Sequence, residues 1–487
     1  MIILVTIGLS KLSTETCEVL VVDLDGTLLR SDMLFESFWS SFGQDWRAPF
    51  LSFFNMSRGR AFLKRHLALA SSVDVKTLPY NSKVINYIEE WRRSGGRTAL
   101  VTASDQILAE KIAREIGLFD EVYGSDGTLN LKGECKAQFL EERFGRKGFH
   151  YMGDHAADIP IWRRAAKAIT VGASHSLRCE AERACDSIEH IVSERSSTKT
   201  YIKALRMHQW LKNVLVLLPM LAAHQFDGPT FFLSLIAFLS FSLMASGIYV
   251  VNDLIDLTAD RSHPRKQNRP FASGDIPIYQ GMWMAAGLFL IGVVLAISVN
   301  AAFVLAILGY CLLTTAYSLI LKRRIILDIF ALTALYSMRI VAGSLAAGIT
   351  LSVWLLAFSA FFFLALAAVK RQAELADIAM RGELEVNGRG YHVNDLPIVS
   401  MIAIAAGYVS VLVMMLYVNS PQVMNLYGLP EALWGVSAVL LFWITQTVML
   451  AHRGEMHDDP VVYAATDRTS LMCLLAIVVF LFWGGLS

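Results

Sequence analysis

Beyond residue 205 the chain is a succession of apolar runs, each about long enough to cross a hydrocarbon layer, and no other feature restricts its fold so strongly. Nine such runs occur, at 208–224, 230–251, 279–298, 301–321, 325–346, 351–369, 397–418, 431–450 and 469–486. Inside a bilayer every backbone N–H and C=O must be paired within the protein, so runs of this length specify helices. An all-α polytopic membrane bundle of about nine transmembrane helices is therefore expected. The first run is the least regular, because Lys212 and Asn213 fall inside it. Charge is correspondingly scarce. Only 17% of the 487 residues are charged, against about 25% in an ordinary soluble chain.

The charge deficit starts only after residue 205. Residues before it have ordinary soluble composition, and the polar stretch 193–199 marks the change. Two domains are expected, 1–195 and 196–487. The loops 252–278, 322–324, 370–396 and 451–468 hold 4, 3, 4 and 2 Lys or Arg, while the loops on the opposite side hold none. The positive-inside rule then puts the first set of loops and the N-terminal domain in the cytoplasm, and the expected location is a bacterial inner membrane, crossed many times. A net charge of +1 makes no electrostatic case for nucleic acid. The six cysteines form no Cys-x-x-Cys pair and no His cluster has zinc-ligand spacing, so reduced thiols are expected. Residues 1–9 lack a basic start and a small-residue cleavage site and are too short to span, which argues against a signal peptide.

At the mouth of the second run stands Asn252-Asp-Leu-Ile-Asp-Leu-Thr-Ala-Asp260, followed at once by Arg261-Ser-His-Pro-Arg-Lys-Gln-Asn-Arg-Pro270. Carboxylates spaced three and four apart share one face of a helix. Asp253, Asp256 and Asp260, at a membrane edge beside Lys and Arg, suit Mg²⁺ and the diphosphate that the ion carries. A second charged group runs from Tyr317 through Lys322 to Asp328, with Arg339 eleven residues further on. Eleven residues make almost three helical turns, placing Asp328 and Arg339 within about 20° on one face. An arginine that deep is costly unless it meets an anionic or wet cavity, or a carboxylate on a neighbouring helix.

The N-terminal domain carries four further segments. Residues 18–28 read as a buried strand ending in Asp23 and Asp25, with Gly26 for a sharp turn. Residues 97–104 are a second strand ending in Thr102 and Ser104; Lys136 opens a helical pattern; residues 149–158 are a third strand ending in Asp154 and Asp158. Buried strands with polar carboxyl ends suit a parallel sheet. In this order the segments resemble the haloacid-dehalogenase-like phosphatases over about residues 18–190. The resemblance implies an α/β Rossmann-like domain of haloacid-dehalogenase type, with Asp23 as nucleophile and Asp25 as general acid and base. It further implies that Thr102, or Ser104 in second place, holds the phosphate and that Lys136 stabilises the phosphoryl group. Mg²⁺ would be held by Asp23, the carbonyl of Asp25 and Asp154, with Asp158 in support. Residues 32–80, with Phe35, Phe38, Trp39, Phe42, Trp46, Phe50, Phe53 and Phe54, read as a small helical cap, as helices packed on the sheet, or as a cap that leans on lipid.

The acid motif and the nine runs resemble the UbiA-type intramembrane prenyltransferases over about residues 200–487. That implies a helical bundle in which Asn252, Asp253, Asp256 and Asp260 bind Mg²⁺ and the donor's diphosphate. Gln209-Trp-Leu-Lys212-Asn213, the run from His263 to Pro270, and Tyr317…Lys322…Asp328…Arg339 are similar to the decaprenyl-phosphate phosphoribosyltransferase branch. The partners so implied are phosphoribosyl diphosphate and a polyprenyl phosphate in the lipid bilayer. Lys212, Asn213, Lys266, Arg269, Tyr317, Lys322 and Arg339 become the expected substrate contacts, while Asn252 and Asp328 orient the sugar or metal. The expected protein is a bifunctional membrane enzyme whose phosphatase removes the 5-phosphate of the product. Transfer of a prenyl group from prenyl diphosphate to an aromatic or other small acceptor is the alternative. A transporter is disfavoured because the charges are confined to one mouth. The stretches 370–374 and 458–468 are candidates for the cavity rim.

Overall fold

The computed structural model describes residues 18–485 except 46, 48–59, 127–129, 193–196, 383, 385–388 and 457–458. The expectations for residues 1–9, Cys17, Trp46, Phe50, Phe53, Phe54, Asp458 and part of the 193–199 linker lie outside the described residues. The chain divides into two compact units, one formed by residues 1–204 with 251–283, the other by 205–250 with 284–487. Thus 251–283, the acid motif and the basic run after it, belongs with the N-terminal residues.

The first unit is built on a parallel sheet of six strands in the order β3-β2-β1-β4-β5-β6. These are β1 (Val19–Val22), β2 (Arg97–Asp105), β3 (Glu121–Ser125), β4 (Phe149–Gly153), β5 (Lys167–Val171) and β6 (Ile188–Ile191). All four residues of β1 are buried because the sheet is covered on both sides. Leu20, Val22, Leu100 and Met152 pack on one face with Val84, Ile88, Leu108 and Ile112 of the helices Ser82–Arg93 and Gln106–Ile116. Val19, Val21, Ala99, Val101 and Tyr151 pack on the other with Ala137 and Leu140 of the helix Glu134–Phe144. Each buried Val, Leu or Ile contributes about 1.5–3 kcal/mol. The strand order reverses at β1, between β2 and β4, which opens a crevice at their carboxyl ends.

The cap begins directly after β1. Asp32 accepts a bond from Leu34 N and starts the helix Met33–Gln44. The second cap helix, Arg60–Ala70, is tied to the end of β2 by Arg65 and Asp105, 3.3 Å apart. Glu36 on the first cap helix meets Arg261 through two bonds of 2.6 and 3.0 Å, both side chains almost wholly buried. Arg261 also donates to the carbonyl of Ala272, and Ser31 donates to Glu36.

Among the described residues, eight helices are long and apolar enough to cross a membrane: Gly228–Ile255, Ile278–Val299, Ala301–Arg323, Leu327–Ala347, Val353–Met380, Val393–Val418, Pro430–His452 and Arg468–Gly485. The chain is a multi-pass membrane protein. Large apolar side chains such as Leu290, Ile297, Leu305 and Leu312 are exposed on the second unit, a surface that lipid solvates and water does not. The expectation that the first run, 208–224, spans the membrane is corrected by the structure. The run folds as a 3-10 segment, Met207–Leu217, and a short helix, Leu218–Ala222. Pro219 lacks a backbone donor, and Lys212 and Asn213 turn inward to polar partners, so the segment packs against the bundle rather than spanning. Gly343 admits it, since a side chain there would strike the carbonyl of Val216.

Candidate active sites

In the first unit a corner of acidic, hydroxyl and Lys side chains forms where β1, β2 and β4 end. Asp23 N donates to Met152 O at 3.0 Å, which fixes the backbone of Asp23 against β4. Its Oδ1 receives Lys136 Nζ at 2.6 Å, and Lys136 is 3% exposed. Asp25 accepts from Ser104 Oγ at 2.6 Å and from Met33 N at 2.8 Å. Thr102 is fully buried and its Oγ1 accepts Ser104 N, so of the two hydroxyls it is Ser104 that touches Asp25. Gly26, at φ +77°, turns the chain where a side chain would run into Asp154. Asp158 accepts from the backbone of Asp154 and His155 and from Tyr151 Oη, and so braces the loop that presents Asp154.

Asp23, Asp154 and Asp158 each offer a carboxylate oxygen, and these atoms lie within 4.8 Å of one another. Oxygen donors so grouped fit a hard divalent cation. Burial, then the charges of Asp23 and Asp158, pushes Asp154 well above the usual carboxylate range. Burial and Asp23 likewise raise Asp158. Asp25 is raised to about 7 by burial, Asp32 and Asp23. A carboxyl that holds its proton near neutrality suits a general acid and base.

The acid motif is also in the first unit. The expected single helical face is interrupted: the helix Gly228–Ile255 stops, Asp256 sits at φ −91° and ψ 14°, and the helix Leu257–Ser262 resumes. Bonds from Asp256 N to Asn252 O and from Asp260 N to Asp256 O preserve the helical spacing across the break. Asp253 and Asp260 are 3% exposed, while Asn252 and Asp256 are half-buried. Arg269 Nη1 stands between Asp253 and Asp260, at 3.1 and 2.5 Å. Arg269, expected to contact substrate, thus serves here as countercharge to the motif; two buried carboxylates this close require a cation between them. Among the described residues, the acids of the motif do not converge as closely as Asp23, Asp154 and Asp158. Lys266 is exposed in the turn Lys266–Asn268.

The second unit holds two further clusters. In the first, Asp459 Oδ2 receives both Lys212 Nζ and Lys370 Nζ at 2.7 Å, and Tyr336 Oη donates to Oδ1 at 3.2 Å. Burial raises Asp459, but Lys370 and Lys212 outweigh it and hold the carboxyl well below its usual range. Beside them Arg339 is 4% exposed and bonds to Asn213 Oδ1 at 2.9 Å and Tyr310 Oη at 3.4 Å, with its guanidinium over the rings of Phe241, Tyr310 and Tyr336. Among the described residues no carboxylate is paired with Arg339. In the second cluster Asp328, fully buried, meets Arg371 at 2.5 Å and Tyr391 Oη at 2.6 Å. Glu374 and Arg389 extend that group. Asp328 and Arg339 share a helix but not a site: a buried carboxylate is retained only where a cation neutralises it, and Arg371 does so. Tyr317 and Lys322 are half-buried. Lys370, Arg371 and Asp459, named from sequence only as rim stretches, are the residues that organise the two clusters. Their cue was a Lys-Arg-x-x-Glu pattern where an apolar run ends, at Lys370 to Glu374.

A family model described as the UbiA prenyltransferase family matches residues 213–463, and one described as haloacid dehalogenase-like hydrolase matches residues 20–163. The uncharacterized protein y4nM of Sinorhizobium fredii is 37% identical over 93% of this chain and 88% of its own length. The nodulation protein NoeC of Azorhizobium caulinodans is 38% identical over 57% of this chain and 91% of its own. The decaprenyl-phosphate phosphoribosyltransferase of Mycolicibacterium smegmatis is 40% identical over 36% of this chain and 56% of its own.

Proposed function

Because the chain belongs to the UbiA prenyltransferase family and carries a haloacid dehalogenase-like domain ahead of it, we propose that its transferase moves 5-phosphoribose from phosphoribosyl diphosphate to a polyprenyl phosphate. In that reaction a phosphate oxygen of the lipid attacks C1 of the ribose. The bond from C1 to the diphosphate breaks, and diphosphate leaves with its electron pair. Both reacting ends are anionic, so the pocket must be rich in cations. The observation that carries this reading is the excess of positive charge in the second unit: buried Lys212 and half-buried Lys370 share the single carboxylate of Asp459, and buried Arg339 has neutral partners. Asn252, Asp253, Asp256 and Asp260 would hold Mg²⁺, which neutralises the departing diphosphate.

The phosphatase then removes the 5-phosphate. Asp23 attacks phosphorus while Lys136 offsets the repulsion between the two anions, and Asp25 gives its proton to the leaving alkoxide. Water next attacks the aspartyl phosphate, returning the proton to Asp25. Asp23, Asp154 and Asp158 would hold the Mg²⁺ of this site. The excess of Lys and Arg in one set of loops supports a reading in which both activities face the cytoplasm at a bacterial inner membrane.

A membrane assay offering each donor with each acceptor tests the transferase. Diphosphate release should require phosphoribosyl diphosphate and polyprenyl phosphate together, and Asp256→Asn should lower it by about 10³-fold or more while sparing phosphatase activity. Label entering product from prenyl diphosphate and a small acceptor alone would reject the phosphoribosyl reading.

A further inference from the structure

The second cap helix meets the phosphatase crevice through two consecutive cations with different surroundings. Arg65 is paired with Asp105 and anchors the helix. Lys64 donates from Nζ to the carbonyl of Ala103 at 2.6 Å, between Thr102 and Ser104. An ammonium has three donors, and no ion pair joins Lys64 to a carboxylate among the described residues. Yet Lys64 lies in the field of Asp25, Asp32 and Asp23, and Lys132 stands close enough to act on both Lys64 and Asp32. Hydrolysis already has a cation for the reacting phosphoryl group, since Lys136 is bonded to Asp23. Lys64 is therefore surplus to the bond-breaking step, half-buried, and held by the second cap helix against the end of β2, beside Thr102 and Ser104.

We infer that Lys64, assisted by Lys132, recognises a second anionic group on the alcohol, so that the phosphatase selects phosphate monoesters that carry another phosphate at their far end. This rests on the proposed reaction sequence, in which one ribose bears a 5-phosphate and, at C1, the phosphodiester to the lipid. A partly desolvated ammonium discriminates charge more strongly than one in water. A role confined to anchoring the cap, as for Arg65, is the competing explanation.

The test uses the full-length protein in detergent and measures phosphate release from ribose 1,5-bisphosphate, ribose 5-phosphate and p-nitrophenyl phosphate. The wild-type chain should favour the bisphosphate over ribose 5-phosphate by about tenfold in kcat/KM, mostly through KM. Lys64→Gln should cut that preference to about threefold or less, and Lys64→Arg should restore most of it. Parallel loss on all three substrates in Lys64→Gln would show an anchoring role and overturn the inference, as would absence of preference in the wild-type chain. If p-nitrophenyl phosphate alone is hydrolysed, the reading of the domain as a 5-phosphatase itself fails.

Discussion

Asp154 and Asp158 crowd Asp23 in one buried corner, and their mutual repulsion determines how the phosphatase responds to pH. Both are raised, first by burial and then by neighbouring acids, so both hold protons above the range where a free carboxylate has lost them. Their contribution to stability is complete below the unfolded carboxylate value of 3.8 and is lost as pH rises through the raised values. A Mg²⁺ ion held by these residues would have to displace those protons. The Mg²⁺ concentration for half-maximal phosphatase activity should therefore fall by up to about tenfold per pH unit for each proton displaced as pH rises from the ordinary carboxylate range through the raised values; a flat dependence would contradict the assignment of these two residues. Such residues were legible in sequence because each follows a hydrophobic strand or opens a helix. The pairing of Asp459 with Lys212 and Lys370 was not legible. It joins positions 247 and 89 residues apart, and only the packed helices bring them together.

Among the elements, the first cap helix has a load that its sequence does not advertise. Glu36 on that helix is the buried partner of Arg261, the residue immediately after Asp260. Removing one member of a buried pair leaves the other charge stranded, at a cost of about 3–5 kcal/mol. Glu36→Ala should lower the unfolding temperature of the first unit, and Glu36→Ala combined with Arg261→Ala should be less damaging than the sum of the two single changes. Additive losses in that cycle would mean that the two side chains do not depend on each other. The run 208–224 shows the opposite limit of sequence reading. Its composition satisfies a membrane criterion, but Pro219 and the inward polar contacts of Lys212 and Asn213 convert it to a short broken segment. Hydropathy measures the average of a window, whereas the fate of that segment depends on three particular residues.

For the whole molecule, the split into a parallel α/β fold and a multi-pass helical bundle followed from where charge stops and apolar runs begin. The compact units cut the chain differently, since residues 251–283 belong with the N-terminal fold. Composition could not anticipate this, because the loop after the second run is polar whichever neighbour it packs on. In the proposed reaction sequence one polypeptide makes a phosphoribosyl lipid and then strips its 5-phosphate. The most direct measurement supplies phosphoribosyl diphosphate labelled in the 5-phosphate, with polyprenyl phosphate, to the full-length chain and to Asp23→Asn. The wild-type chain should release the label as inorganic phosphate, whereas Asp23→Asn should retain it in the lipid product. Label that never reaches lipid in Asp23→Asn, or phosphate release that persists unchanged in that variant, would contradict that reaction sequence.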